Sequence, residues 1–599
     1  MKVLVKMNSR RNKNYVLMIC SAFVFVSGIF SQETNVQASV EQPNAFMFKD
    51  LPNRDLVTQL IGKMSDKEKI GQLVMPSVRD RQINDKNIQN LIKTYSSGSV
   101  IYYGKANAET IARFTNQLQK WASETRLQIP LFISADLEYG AYQHVTDGTD
   151  FPRQMAIGAT RDLKTAEQVA NITAIELKAM GFNWNYSPLA DVNSNPSNPV
   201  IGIRSYSEKT DLVSQMAAAQ IKGYQQNGVV ATAKHFPGHG DTYVDSHLSL
   251  AAVNYDRKTL EQVHLPPFKK AIAAGVDSIM TAHVIIDAVD PDLPATLSKK
   301  VVTGLLRKQM RFNGIIVTDS MSMDAIDHHW GTGQAAVMAI NAGADIVMAT
   351  GSYKRQLETY HALYRAFKSG ELTEERINES VKRILLAKAK YDLFHHRYAD
   401  PAHARKVVNS PEHKKVAAVV AKKSITVLKN ENLLPFMAND SNATTFVVGP
   451  EIFDSRKQME AIIQSVRRKT LGKVIHTVTP ANPTAADIKN VTKLANQADR
   501  MIVATYSASS LSQGQINLVR ALESSGKPLV VLSLGLPYDL KHFPSVRAYI
   551  ASYAIDRWGS PVPSSMNAAI DVIFGSKPEG KLPVSIKGLY QFGAGLTFY

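Results

Sequence analysis

Cysteine is almost absent from this chain: the 599 residues include one, Cys20, inside an N-terminal apolar run. A mature form without that run has no cysteine, which excludes disulfide bonds and thiolate catalysis in that form. The sequence also lacks an arginine-rich helix and basic stretches interleaved with aromatic residues, so nothing in it is typical of a nucleic-acid-binding protein.

The N-terminal apolar run, Tyr15 to Phe30, is shorter than the ~20 residues of a typical membrane-spanning helix. Basic residues precede it, and a polar stretch ending at Ala38 follows it. This pattern predicts a signal peptide over residues 1–38 and an exported protein, extracellular, wall-associated or periplasmic, with an uncleaved membrane anchor as the alternative. Residues 39–52 would be a lead-in. Loss of residues 1–38 reduces the net charge from +17 to about +13, which suits association with anionic wall polymers or simply a basic surface.

Short apolar segments alternate with helical segments from residue 53 to 395. The candidate strands are 72–76, 99–104, 131–138, 182–192, 230–238, 277–283, 315–320 and 345–350. Their apolar residues do not alternate with polar ones, which indicates parallel strands buried on both faces. Eight such units predict a (β/α)₈ barrel with insertions, although an open doubly wound sheet has the same pattern.

Polar side chains stand at or just past the carboxyl ends of five consecutive candidate strands. They are Asp136, Glu138, Asp191, Lys234, His235, His283 and Asp319. Barrel enzymes build their active sites at this end of the strands. The pattern therefore favours a catalytic site over loops that are merely polar.

A second α/β series follows a predicted linker over 396–412, where Pro401 and Pro411 break helices. We predict a separate α/β sandwich domain over 413–599. This half lacks a glycine-rich phosphate loop and a cluster of acids at its strand ends. Its expected role is structural, or it lends a loop to the cleft of the first domain.

The densest cluster of ionisable residues is KHFPGHGDTYVDSHLSL, residues 234–250. Five residues are possible metal ligands by type: His235, His239, Asp241, Asp245 and His247. However, Pro-Gly between His235 and His239 breaks the helix that a His-x-x-x-His site needs. Asp245 and His247, two residues apart, project from the same side of an extended backbone. A carboxylate there is expected to raise the pKa of the imidazole and make it a proton donor, unless both residues are ordinary loop residues.

A proton donor needs a complementary carboxylate, and Asp319 in VTDSMSM is the candidate. At a strand end it can act as a nucleophile or stabilise a cationic transition state. Capping of the next helix is the alternative role for Asp319, and Asp324 is an alternative nucleophile.

Four segments carry a resemblance to a known family: KHFPGHGDTYVDSH, DVNSNPSNPVIGIRSY, FPRQMAIGAT and IIVTDSMSMDAI. Together they resemble the family 3 glycoside hydrolases, and more narrowly their NagZ-like β-N-acetylglucosaminidase branch. FGSKPEGKLPVSI (574–586) is similar to an element of the family's C-terminal sandwich domain. The resemblance implies a retaining mechanism with Asp319 as the nucleophile and His247, paired with Asp245, as the acid/base.

The resemblance also implies which residues bind the terminal sugar: Asp136, Arg204, Lys234 and His235. The chain departs from the family at DLEYGAYQH (136–144), where a sugar-contacting arginine is replaced by His144. Arg153 is a candidate to compensate, and His283 is a further candidate contact. The resemblance requires no metal or other cofactor.

The implied substrate is a carbohydrate ending in β-linked GlcNAc, either a muropeptide or a chitooligosaccharide. One competing interpretation is a family 3 β-glucosidase or β-xylosidase, whose members generally lack the Asp-Ser-His loop. Another is a catalytically inert wall-binding protein with the same fold.

Overall fold

The computed structural model describes residues 53–453, 457–558 and 561–597. The predicted signal peptide and lead-in, residues 1–52, lie outside the described residues. Among the helices that are described, none is both long enough and apolar enough to cross a membrane.

The strands of the first half form a barrel and a small side sheet. They are β1 Val74–Val78, β2 Ser99–Tyr102, β3 Phe132–Ala135, β4 Trp184–Asn185, β5 Val230–Phe236, β6 Ala251–Val253, β7 Ser278–Thr281, β8 Val284–Ile286, β9 Asp290–Pro294, β10 Ile315–Ser320 and β11 Ile346–Ala349. Eight of them close a parallel barrel in the order β1-β11-β10-β7-β5-β4-β3-β2. Closure confirms the predicted barrel over the open sheet. The sheet β6-β8-β9 was not predicted.

Helices surround the barrel strands. They are α1 Asn53–Lys63, α2 Asp66–Gln72, α3 Lys86–Lys93, α4 Ala108–Ser123, α5 Gln154–Thr160, α6 Leu163–Ala179, α7 Thr210–Gln226, α8 Arg257–Thr259, α9 Leu265–Ala273, α10 Asp324–Trp330, α11 Thr332–Ala342, α12 Tyr353–Lys368 and α13 Glu374–Lys390. Leu260–His264 and Lys300–Gln309 are π-helical. Asn107, Asp162 and Ser352 cap α4, α6 and α12 by accepting hydrogen bonds from first-turn N–H groups.

Burial explains why the barrel strands are mostly apolar. All seven residues of β5 are buried, including Lys234 and His235 at its end. The predicted strand 182–192 contributes only Trp184–Asn185, after which the chain departs from regular pairing and touches β5 again through a bridge between Leu189 and Lys234. The ionisable residues therefore begin where the regular barrel stops.

The second half is a sheet between two layers of helices. Its strands are β12 Thr426–Asn430, β13 Thr445–Pro450, β14 Val474–Thr479, β15 Arg500–Thr505, β16 Leu529–Ser533 and β17 Ala548–Ala551, in the order β12-β17-β16-β15-β13-β14. Only the β12–β17 pair is antiparallel among these neighbours. The helices that follow α13 in the chain are α14 Pro401–Val407, which lies before this domain, and α15 Pro411–Ser424, α16 Lys457–Lys469, α17 Ala485–Ala495, α18 Gln513–Glu523 and α19 Pro563–Ile573. The predicted α/β sandwich is confirmed.

The segment predicted as a linker, 396–412, is more ordered than expected. It contains the whole of α14, which packs against α4 and α6 of the barrel layer. The predicted domain start at residue 413 falls inside α15. Proline at the first turn of each helix explains the difference, because that position tolerates the missing N–H and starts a helix as readily as it breaks one.

Candidate active site

A cavity of about 1000 Å³ opens at the carboxyl ends of the barrel strands. Seven of the predicted site residues line it: Asp136, His144, Arg204, Lys234, His235, His247 and Asp319. The other three predicted residues do not line the cavity, but each contacts a residue that does: Asp245 contacts His247, Arg153 contacts Asp556, and His283 contacts Ser320. The closed barrel thus brings together strand ends that are far apart in the sequence.

Two cations and two carboxylates form a buried network on one wall. The Lys234 Nζ lies 2.7 Å from Asp136 Oδ1 and 2.8 Å from Glu138 Oε1. Arg204 donates to both oxygens of Glu138, from Nε at 2.9 Å and from Nη2 at 2.8 Å. Burial alone would raise the pKa of Glu138, but the charges of Arg204 and Lys234 hold it well below its usual range. Glu138 is therefore ionised, and the wall pairs two cationic side chains with two carboxylates.

His235 is held by a carboxylate behind it. Its Nδ1 donates to Asp191 Oδ2 at 2.8 Å, and the backbone N–H groups of His235 and His239 also donate to Asp191. The donation from Nδ1 fixes the orientation of the ring, so that Nε2 points into the cavity, 3.9 Å from Asp319 Oδ2. Asp191 is therefore a supporting residue that the sequence located but gave no role.

Asp319, near the end of β10, is an ionised carboxylate. Burial would raise the pKa of Asp319, but the nearby imidazoles of His235, His283 and His247 lower it well below its ordinary value. Its Oδ1 also accepts a hydrogen bond of 2.7 Å from the Ser320 N–H. His283 is buried and bonds the carbonyl of Ser320 at 2.9 Å, so it holds the backbone next to Asp319 instead of facing the cavity.

Asp245 and His247 form a dyad on the loop that follows β5. Asp245 Oδ1 accepts both from the His247 backbone N–H at 3.0 Å and from Nδ1 at 2.8 Å. The imidazole therefore keeps Nε2 for proton exchange. Asp245 is almost fully buried, at 4% exposed, whereas His247 is 37% exposed and lines the cavity.

The expected rise in the pKa of His247 is wrong. Burial lowers the pKa of this imidazole, the charge of Asp319 opposes that effect, and the cation Arg204 adds to it. Asp245 holds the imidazole through Oδ1, and its other oxygen, Oδ2, is ion-paired with Arg557 of the second domain. Sequence spacing showed the carboxylate beside the imidazole but not the cation beside the carboxylate.

His239 stabilises the loop by bonding through both ring nitrogens. Nδ1 bonds Thr242 Oγ1 at 2.9 Å, and Nε2 bonds Ser246 Oγ at 2.8 Å. Burial and the neighbouring His235 lower the pKa of His239 to about 4, so the ring is neutral near pH 7. In the described ranges, no group of three or more His, Cys, Asp or Glu side chains is arranged as a metal site.

The second domain supplies one wall of the cavity. Asp556 and Trp558, in the segment after β17, line it beside the barrel residues. The Trp558 ring meets the His247 ring edge to face, with centroids 5.3 Å apart. The sequence analysis considered that the second domain contributes a loop to the cleft of the first, but it did not identify the loop. The available signal was the position of the segment at the end of a parallel strand.

The two residues considered as replacements for the missing arginine lie in different places. His144 lines the cavity and bonds the carbonyl of Gly104 through Nδ1 at 2.9 Å. Arg153 is buried, pairs with Asp556 at 2.8 Å and stacks on the Tyr139 ring at 3.7 Å. Arg153 therefore fastens the second domain to the barrel, and its guanidinium does not take the place of a sugar-contacting arginine.

Comparison with known families gives two matches along the chain. Residues 66–387 match the glycosyl hydrolase family 3 N-terminal domain, and residues 425–591 match the glycosyl hydrolase family 3 C-terminal domain. The two matches fall on the barrel and on the sandwich domain.

Individual relatives cover most of the chain. A β-hexosaminidase A from Pseudoalteromonas piscicida is 32% identical over 83% of this chain and 91% of its own length. A β-N-acetylglucosaminidase/β-glucosidase from Cellulomonas fimi is 28% identical over 83% and 90%. Among solved structures, a family 3 β-N-acetylglucosaminidase from Paenibacillus sp. str. FPU-7 superposes with a TM-score of 0.80 at 34% identity, covering 87% of this chain and 99% of that one.

Proposed function

The chain belongs to glycosyl hydrolase family 3, and from this premise we propose that it is a retaining exo-β-N-acetylglucosaminidase. The observation that carries the proposal is the meeting of Asp319 and the Asp245–His247 dyad at one cavity at the mouth of a closed barrel. The names of the relatives from Pseudoalteromonas and Paenibacillus agree with this activity.

The first step of the proposed reaction uses Asp319 as the nucleophile. Its carboxylate attacks the anomeric carbon of the terminal sugar and forms a glycosyl-enzyme ester, while the bond to the leaving oxygen breaks. The strongly lowered pKa of Asp319 keeps the carboxylate ionised for this attack. His247 gives its proton to the leaving oxygen, so that an alcohol departs.

The second step is hydrolysis of the ester. Neutral His247 accepts a proton from a water molecule, the water oxygen attacks the anomeric carbon, and Asp319 leaves as a carboxylate. Asp245 stabilises the imidazolium when it forms. The lowered pKa of His247 suits this second step, because the neutral imidazole is the form that accepts the proton.

The charge-balanced wall suits an uncharged, hydroxyl-rich sugar. Asp136 accepts hydrogen bonds from sugar hydroxyls, and Lys234 and Arg204 donate to sugar oxygens. With two cations and two carboxylates, the network presents no net charge to a phosphate or a uronic acid. His235 places Nε2 beside Asp319, close to where the terminal ring would lie.

A cavity of about 1000 Å³ is at the upper end of the usual range for small-molecule sites, roughly 300–1,000 Å³, and leaves room beyond one sugar ring. We therefore propose oligosaccharides or muropeptides ending in GlcNAc as substrates. Export through residues 1–38 would place the enzyme where wall fragments occur, and the basic surface would favour anionic wall polymers.

The test is a panel of p-nitrophenyl glycosides run with and without EDTA. We expect β-GlcNAc to be the preferred sugar and EDTA to have no effect. Preference for β-glucoside would support the β-glucosidase alternative, which the name of the Cellulomonas relative includes. Binding to wall without release of any sugar would support an inert binding protein, and loss of activity in EDTA would indicate a required metal.

The proposed location needs a separate test. Cell fractionation with an antibody, together with N-terminal sequencing of the mature protein, would show whether residues 1–38 are removed. An intact N-terminus in the cytoplasmic fraction would contradict export.

A further inference from the structure

The guanidinium of Arg557 lies between two loops of the barrel. Its Nη1 donates to the Pro199 carbonyl at 3.2 Å and forms an ion pair with Asp245 Oδ2. The other oxygen of Asp245, Oδ1, is the one that accepts from His247. Asp245 therefore joins a cation of the second domain to the imidazole of the barrel loop.

Because Asp245 is buried, its carboxylate depends on the charge of Arg557. A carboxylate that is 4% exposed needs compensation for its lost hydration, and a neutral imidazole supplies only one hydrogen bond. Arg557 supplies the opposite charge. Without it, the loop that carries Asp245 would gain by turning the carboxylate towards solvent, and His247 would lose the partner that orients its ring.

Trp558 touches His247 from the same segment. The two rings meet at 71° with centroids 5.3 Å apart, an edge-to-face contact that restricts rotation of the imidazole. The Arg557 guanidinium lies 4.6 Å from the centre of the Trp558 ring, which holds these two neighbours together. His247 is thus held by Asp245 on one side and by the indole on the other.

The segment itself is anchored to both domains. Asp556 pairs with Arg153 of the barrel at 2.8 Å, and its carbonyl accepts from Tyr506 of the second domain at 2.6 Å. Its Oδ1 also accepts from the Trp558 N–H at 2.9 Å. Such a fixed segment can hold a loop in place.

We propose that Arg557 and Trp558 are positioning residues, through which the second domain holds the Asp245–His247 dyad in its catalytic orientation over the cavity. The inference rests on the proposed function, since it assigns a role in the same proton transfer. It gives the second domain a part in the reaction that the barrel cannot supply alone.

The charged groups around His247 determine the direction of the expected effect. Asp319 and Asp136 stabilise the imidazolium from the barrel, whereas Arg204 and Lys234 destabilise it. Arg557 offsets the charge of Asp245 from the second domain. Removal of Arg557 lets the Asp245 carboxylate turn away from the imidazole, so the imidazolium loses its nearest anion and the pKa of His247 should fall.

The kinetic test compares Arg557→Met with wild type on chitobiose and on dinitrophenyl β-GlcNAc. The poor leaving group of chitobiose needs the proton donor, so we expect kcat/KM to fall at least ~30-fold on chitobiose and less than ~3-fold on the aryl glycoside. Arg557→Lys, which keeps the charge but loses the planar fork, should fall between Arg557→Met and wild type. Arg468→Met, an exposed arginine on α16, is the matched control and should behave as wild type.

Equal losses on both substrates, or no loss in Arg557→Met, would overturn the proposal. Trp558→Phe keeps an aromatic edge and Trp558→Ala removes it; the proposal requires the alanine variant alone to lose activity on chitobiose. If Arg557→Met does not fold, as judged by its thermal unfolding, the Arg557→Lys and Trp558 variants test the proposal instead.

An NMR titration of the His247 ring separates this proposal from the proposed function, because it needs no turnover. The signal is identified by its loss in His247→Ala. We expect the pKa of His247 to fall by at least ~0.5 unit in Arg557→Met, and an unchanged or higher pKa would contradict the positioning role. Failure of wild type to release GlcNAc would instead overturn the proposed function, and the titration would still test the ion pair.

Discussion

Asp319 and His247 have pKa values that shift in the same direction for different reasons. Three imidazoles lower the pKa of the Asp319 carboxyl, whereas burial lowers the pKa of the His247 imidazole. Near neutral pH the nucleophile is therefore ionised, and the histidine is protonated in only part of the molecules. The free enzyme must be protonated at His247 to attack a substrate with a poor leaving group.

The pH dependence of wild type on chitobiose follows from this requirement. The pKa of His247 is lowered, so the proton donor is lost as pH rises through a value below the ~6.5 of an unperturbed imidazole. We expect kcat/KM to fall with a midpoint below that value. A profile that stays flat to pH 8 would contradict either the donor role or the direction of the shift.

Substitution of the two groups should produce different patterns. Asp319→Ala removes the nucleophile and should abolish turnover of every substrate. His247→Ala should lower kcat/KM on chitobiose by ~10²-fold or more, with a smaller loss on aryl glycosides whose leaving groups need little protonation. Equal losses in His247→Ala on both substrate types would count against proton donation.

Asp539 in the second domain is a buried carboxyl that penalises folding at high pH. It accepts from the hydroxyls of Ser507 and Thr505 at 2.7 and 2.8 Å, but burial still raises its pKa to about 6 from 3.8. The folded state therefore holds this proton more tightly than the unfolded state, and stability is lost as pH rises through about 6. The shift corresponds to a loss of ~3 kcal/mol above pH 7.

Asp539→Asn should remove that pH dependence. We expect its gain in unfolding free energy over wild type to be larger at pH 8 than at pH 5, as measured by urea unfolding at both pH values. The same difference at the two pH values would show that the carboxyl does not titrate as inferred.

At the scale of elements, the loop after β5 depends on close backbone contact. Gly240 lies against the chain that follows β4, and a Cβ at this position would overlap the carbonyl of Val192. This contact sets the direction of the loop before it reaches Asp245 and His247. The sequence shows the glycine but not its contact, because Val192 lies 48 residues earlier in the chain.

Gly240→Ala should displace the dyad loop. We expect at least a ~10-fold fall in kcat/KM on chitobiose, because small misplacements of catalytic groups are costly. Gly62→Ala on α1 is the matched control: a Cβ at residue 62 would meet no atom of the described residues within 4 Å, and alanine favours a helix. Wild-type activity in Gly240→Ala would contradict the steric argument.

At the scale of the whole molecule, the two domains share a core. Met155, Ala156 and Ile203 of the barrel half pack in one buried cluster with side chains such as Leu536 and Val584 of the second half. The buried Arg153–Asp556 ion pair crosses the same boundary. A shared core and a buried pair predict that the domains unfold together.

Asp556→Asn tests this coupling. The substitution removes the buried counter-charge of the Arg153 guanidinium, which typically costs ~3–5 kcal/mol. We expect calorimetry to give a single transition, at a lower temperature than in wild type. Asp571→Asn removes half of an exposed pair with Lys469 and should change stability by ~1 kcal/mol or less. Two separate transitions in wild type would contradict a shared core.

The sequence by itself determined the elements and the types of residue at their ends. The barrel and sandwich strands, and the polar residues at the ends of β3, β5 and β10, follow from local apolar runs and spacing. The same pattern located Glu138 and Asp191 but did not predict their roles. These features depend on residues close together in the chain, so one sequence is enough to predict them.

Only the tertiary structure decided which strand ends and loops meet, and how buried and how charged the surroundings of their side chains are. Closure of the barrel places Asp319 beside His235, docking of the second domain pairs Arg557 with Asp245, and burial lowers the pKa of His247 where spacing predicted a rise. The physical reason is that burial and charge pairing depend on every neighbour in space. Those neighbours come from segments as distant as residues 245 and 557, whose contact no local pattern encodes.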